Sequence, residues 1–112
     1  MNPEQITKIA VNALENVKGE NIIVIDTSKT SSLFSSMVIC SGNSSRQISA
    51  LIDRVEEDFK KNDINVIGVE GKQGGEWVLL DGGDIIIHVM LPHVRSYYAI
   101  ESLWNEELRA HD

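Results

Sequence analysis

Trp77-Val78-Leu79-Leu80-Asp81-Gly82-Gly83-Asp84-Ile85-Ile86-Ile87-His88-Val89-Met90 reads as two strands joined by a turn. The apolar runs Trp77 to Leu80 and Ile85 to Met90 are short and rich in branched and aromatic side chains, which favours strand over helix. Between them, Asp81-Gly82-Gly83-Asp84 offers residues that tolerate the backbone angles of a tight turn. The hairpin is antiparallel by necessity. Alternation along the first strand puts Trp77 and Leu79 on one face and Val78 and Leu80 on the other.

Working outward from this hairpin, Val66-Ile67-Gly68-Val69 is a strand just before it. Upstream, Ile48, Leu51, Ile52, Val55 and Phe59 form a helical stripe. Ser44 and Gln47 stand at capping-box spacing at its start, and Asn62-Asp63 end it. Met37-Val38-Ile39-Cys40 is a strand, and Ile22-Ile23-Val24-Ile25 reads as a buried one. Thr27 to Ser36 is rich in Ser and Thr and irregular. Residues 3–18 read as a first helix: Asn2 suits the cap, Pro3 the first turn and Gly19 the exit. Ile6, Ile9, Ala10, Ala13, Leu14 and Val17 share its inner face. After Pro92 a last helix is predicted to about Leu108, with Val94, Tyr97, Ile100, Trp104 and Leu108 along its buried side and Tyr98 facing outward.

The order α-β-β-α-β-β-β-α predicts a single α/β domain over residues 1–112, with a mixed five-stranded sheet and flanking helices. The unit from Met37 to Val69 should be a right-handed parallel crossover. If the hairpin lies at a sheet edge, its exposed edge would favour self-association.

Ten Lys and Arg stand against 17 Asp and Glu, a formal net charge of −7. Nucleic-acid binding depends on neutralising phosphates with Lys and Arg, so direct RNA or DNA binding is not expected. A basic partner is. The apolar run Ile85 to Pro92 is too short to span a bilayer, so no membrane association is expected. The acidic, polar start lacks the pattern of a leader peptide, and a lone cysteine suits a reducing compartment, so a cytoplasmic location is expected.

Three constellations admit a chemical reading. Ser41-Gly42-Asn43-Ser44-Ser45-Arg46, between a strand and a helix, could cradle a phosphate with Arg46 assisting. It lacks both common phosphate-loop patterns, and capping accounts for its composition. Asp81, Asp84 and His88 could ligate a metal, but His88 lies roughly 13 Å from Asp84 along an extended strand. Turn residues and a buried, hydrogen-bonded His are the better account, so no metal or cofactor is expected. Cys40 in an apolar strand reads as a buried structural thiol. The hairpin region carries the partner-binding expectation. Trp77 is surrounded by Glu70, Glu76, Asp81 and Asp84, the composition of an aromatic anchor ringed by carboxylates. A core Trp beside solvated acids is the competing account. On the docking reading, Glu70, Asp81 and Asp84 oppose Lys or Arg of the partner, with His88, Met90 and Tyr98 as neighbours.

The same segments resemble the RsfS/Iojap family of ribosomal silencing factors. The resemblance runs through Ile23-Val24-Ile25-Asp26, Met37 to Gln47, Gly68-Val69-Glu70-Gly71, Gly75-Glu76-Trp77-Val78-Leu79-Leu80-Asp81, Asp84 to Met90 and Arg95 to Trp104. It covers nearly the whole chain, in order and with matching spacing. It implies a domain related to nucleotidyltransferases, often a homodimer in isolation. It further implies binding to ribosomal protein fourteen of the large ribosomal subunit, which blocks subunit joining and damps translation when nutrients are short. That partner is basic, in keeping with the charge. One departure stands out: the family's acid and aromatic before the second strand are Ser35 and Ser36 here. The alternative function is a nucleotidyltransferase-like enzyme. That chemistry needs paired carboxylates on a strand to hold Mg²⁺, and no Asp-x-Asp follows Arg46, so no catalytic residue and no enzymatic activity are expected.

Overall fold

The computed structural model describes residues 1–100, and over them the elements follow the order read from the sequence. Helix α1 (Pro3–Asn16) opens on a complete capping box: the Asn2 side chain accepts the Gln5 N–H at 2.8 Å, and the Gln5 side chain accepts the Asn2 N–H at 3.1 Å. Ile6, Ala10, Ala13 and Leu14 are buried, with Ile9 and Val17 partly so. The exit differs from expectation. Lys18, not Gly19, takes the left-handed conformation, at φ 63°. The Lys18 N–H donates to Glu15 and the Gly19 N–H to the Leu14 carbonyl, which satisfies the last turn. Gly19 is required for space instead, because a Cβ there would stand 2.5 Å from Cys40 Sγ.

Strands β1 (Glu20–Asp26) and β2 (Ser36–Ser41) follow, then α2 (Ser45–Lys61). Ser44 Oγ accepts the Gln47 N–H at 3.0 Å and caps α2. The Gln47 side chain does not return that bond to Ser44. It accepts the Asn43 N–H at 2.6 Å and donates to the Lys18 carbonyl at 3.1 Å, tying the start of α2 to the end of α1. All five residues of the α2 stripe are fully buried.

Strands β3 (Gly68–Glu70), β4 (Trp77–Asp81) and β5 (Ile85–Met90) complete a sheet of order β1-β2-β5-β4-β3. Among the described residues only β2 and β5 pair in parallel; the other pairs are antiparallel. Strands β2 and β3 therefore point the same way, as a crossover through α2 requires, but β5 and β4 lie between them. The hairpin of β4 and β5 is not at an edge, contrary to one expectation. The edges are β3 and β1. For the same reason β1 is not the buried strand expected. Among the described residues it has a neighbouring strand on one side only, and Ile23 and Val24 are 37% and 49% exposed.

Helices α1 and α2 cover one face of the sheet, over Val38, Cys40, Val78, Leu80, Ile85, Ile87 and Val89. On the other face Ile25, Met37, Ile39 and Met90 form a second core with Val94 of the short helix α3 (Pro92–Tyr98). Helix α3 stops where Ala99 turns left-handed, φ 46°, and donates its N–H to the Arg95 carbonyl. The expected continuation to Leu108, with Trp104, lies outside the described residues. Tyr97, expected on the buried side, is 82% exposed, and Tyr98 is 55% exposed. Among the described residues, no helix is long and apolar enough to cross a membrane.

Candidate functional site

Strand pairing assembles the site. Trp77 sits opposite Met90, Leu79 opposite His88 and Asp81 opposite Ile86, while Glu70 of β3 flanks Leu79 from the other side. Val78 and Leu80 are buried beneath the helices, so Trp77, Leu79 and Asp81 share the opposite face, as alternation predicts. Trp77 is half-buried. Its indole Nε1–H donates to His88 Nδ1 at 3.0 Å. Tyr98 lies against it with ring centroids 4.8 Å apart and planes tilted 48°, and Tyr97 packs edge-on against Tyr98 at 5.0 Å. Such tilted aromatic pairs are favourable beyond the area they bury. One aromatic surface thus continues from β4 on to the end of α3.

The seven residues expected to bind a partner separate into two layers. Trp77, Glu70, Asp81, Asp84 and Tyr98 reach the surface. His88 is 6% exposed and Met90 fully buried, so both lie beneath that surface rather than on it. Burial pushes the His88 imidazole down to about 4, which keeps it neutral at ordinary pH. Asp81 has a local task as well: its carboxylate accepts the Gly83 N–H at 2.9 Å and braces the turn, where Gly83 has φ 86°. The Asp84 carbonyl accepts the N–H groups of Ser35 and Ser36, at 2.7 and 3.2 Å. Ser36 Oγ lies 2.8 Å from Thr7 Oγ1 of α1. Ser35 and Ser36 thus fasten β2 to the turn and to α1.

The other constellations resolve into structure. In the loop from Ser41 to Arg46, Ser44 caps α2, Asn43 donates to Glu20 at 2.6 Å, and Ser41 Oγ accepts from Arg95 at 2.9 Å. Asp81, Asp84 and His88 do not converge; among the described residues no three His, Cys, Asp or Glu side chains gather as metal ligands would. Cys40 is buried, and burial raises its thiol to about 11, so it stays protonated and is no nucleophile at neutral pH.

Sequence reasoning missed two features. Arg95 is buried and donates to the Asn21 carbonyl at 2.6 Å as well as to Ser41, bracing α3 against β1 and β2. Leu33 and Ile67, 81% and 65% exposed, flank an open cleft of about 660 Å³ that also includes Phe34, Asp81, Asp84 and Ile86. The only signal the sequence offers for Leu33 is an apolar residue inside a Ser/Thr-rich loop. Nothing local marked Arg95, because its acceptors are distant in sequence.

Comparison with known proteins supplies the remaining information. The sequence family described as "Ribosomal silencing factor during starvation" matches residues 1–112. A ribosomal silencing factor from Chromobacterium violaceum is 49% identical over 104 residues, spanning 93% of this chain and 85% of the relative. One from Bacillus subtilis is 36% identical over 106 residues, spanning 95% and 90%. A crystal structure of a Chromobacterium violaceum protein superposes with a TM-score of 0.92 at 48% identity, covering 94% of this chain and 88% of that one.

Proposed function

The chain belongs to the family of ribosomal silencing factors, and from that premise we propose that it binds the large ribosomal subunit through ribosomal protein fourteen and sterically blocks the small subunit from joining. The effect is repression of translation when nutrients are short. The family assignment over the whole chain carries this reading, and the surface around Trp77 supports it. An aromatic anchor of Trp77 and Tyr98, with Glu70 on the neighbouring strand and Asp81 and Asp84 farther off at the turn end of the hairpin, has the chemistry to meet an extended basic protein surface. The net charge of −7 favours the same partner and disfavours direct contact with RNA. The protein acts in the cytoplasm on this reading, and as a homodimer when free.

The family is not an enzyme family, and no nucleotidyl transfer is proposed. Any relation of the fold to nucleotidyltransferases is one of architecture. Asp81 and Asp84 flank a turn, and Asp81 is committed to bracing it. Mg²⁺-dependent incorporation of labelled nucleotide, abolished by changing Asp81 or Asp84, would overturn this.

The experiment for the main reading is sedimentation. The protein is expected with free large subunits and absent from intact ribosomes, and it should reduce assembly of whole ribosomes from purified subunits. Equal binding to small subunits, or unaltered assembly, sinks the proposal.

A further inference from the structure

We propose that His88 is the positioning residue of the docking aromatic: a buried imidazole that takes the Trp77 indole N–H and so fixes the plane of the ring against which Tyr98 packs at a tilt. The inference rests on the reading of Trp77 as the partner's anchor and deepens it.

An indole N–H can only donate. The 3.0 Å bond to His88 therefore requires a bare Nδ1, with the imidazole proton on Nε2. The two residues are not directly opposed in the sheet. Trp77 faces Met90 and His88 faces Leu79, so the bond runs diagonally between neighbouring cross-strand pairs. A diagonal bond ties the orientations of the two rings to each other, which apolar contact alone does not do. The surroundings of His88 make it conspicuous. Ile39 lies beside it on β2, Leu79 on β4, and Ile86 and Met90 flank it on its own strand's face. An aliphatic side chain would suit that position for packing alone. What the imidazole adds is an acceptor placed where the indole N–H arrives. Without it the half-buried indole gains by turning its N–H toward water, and the surface shared with Tyr98 at 4.8 Å is lost.

The bond also sets how the anchor responds to pH. A proton on Nδ1 would set donor against donor and release the indole. Among the described residues, no charged group of the packed elements shifts His88. Glu70 of β3 pairs with Leu79, Asp81 of β4 lies at the next pair on that face, and Arg95 of α3 is turned to Asn21 and Ser41. Burial alone lowers the imidazole, to about 4, so the anchor stays set across the neutral range and is released only in acid.

The test reads the bond and the role separately. By proton–nitrogen NMR of the full chain, with the Trp77 indole resonance assigned through Trp77→Phe, a slowly exchanging indole N–H is expected that moves with a midpoint near pH 4. In His88→Leu, indole exchange should rise and the titration vanish, and affinity for large subunits should fall about tenfold with an unchanged circular dichroism spectrum, the scale of one lost hydrogen bond. His88→Asn, whose Oδ1 can stand where Nδ1 stood, should restore slow exchange and most of the affinity without the titration. The proposal is overturned if folded His88→Leu leaves exchange unchanged, or alters exchange yet binds like wild type. If Trp77→Ala binds like wild type, the anchor reading itself fails and takes the positioning role with it, whatever NMR shows of the bond.

Discussion

Trp77 is where a single side chain should matter most to binding. A buried aromatic anchor is typically worth about 2 kcal/mol or more, so Trp77→Ala should weaken large-subunit binding by roughly thirtyfold with the fold intact by circular dichroism. Wild-type affinity in that variant removes the anchor from β4. A rim carboxylate acts differently. Asp84 is exposed, and a charge at such a position mainly alters the association rate, so Asp84→Lys should weaken binding at low salt and much less at high salt. His88 has a consequence for stability too. Its folded value of about 4 lies below the ordinary 6.5. Between those values the unfolded chain holds the proton and the folded chain does not, so stability falls as pH drops from 6.5 towards 4. The full loss is about 3 kcal/mol. Urea midpoints measured across that window should show the decline, and a His88→Leu variant should lack this component. The sequence placed Trp77 and Leu79 on one face because alternation is a local rule. It could not separate Trp77, at the surface, from Met90, directly opposite and buried, because that depends on what α3 covers.

The helices show the same division between local and distant causes. Their starts were legible because Asn2 with Gln5 and Ser44 with Gln47 act within one turn. The α1 exit was misread: a glycine there suggested a conformational need, whereas Lys18 supplies the left-handed turn and Gly19 supplies room for Cys40. That difference is testable. Gly19→Ala forces a methyl to within 2.5 Å of Cys40 Sγ, beside Leu51, and should destabilise by about 1–3 kcal/mol. Adding Cys40→Ala removes the obstructing atom, so the double variant should be less destabilised than the sum of the single ones. Additive denaturation midpoints would mean that the glycine matters for its backbone after all. Strand β1 was misjudged for a related reason. Ile22 to Ile25 looks like an interior strand, but an edge strand is covered less than a central one, and among the described residues β1 pairs with β2 alone.

At the scale of the whole molecule, the edge of β1, which pairs on one side only among the described residues and leaves Ile23 and Val24 partly exposed, is a surface that favours self-association. Light scattering at tens of micromolar should give twice the monomer mass. A monomer would remove the dimer from the proposal and leave subunit binding untouched. Sheet order was beyond the sequence, because strand periodicity says which faces are apolar and not which strands become neighbours. That order bears on how the protein comes into being. Strand β5, the last of the five to be synthesised, occupies the middle of the sheet between β2 and β4. A nascent chain that has not yet reached Ile85 holds both flanking strands with nothing to join them, and its apolar edges stand open to chaperones or to other unfinished chains. The sheet closes late and at its centre, so the proposed docking face cannot exist on a partly made molecule.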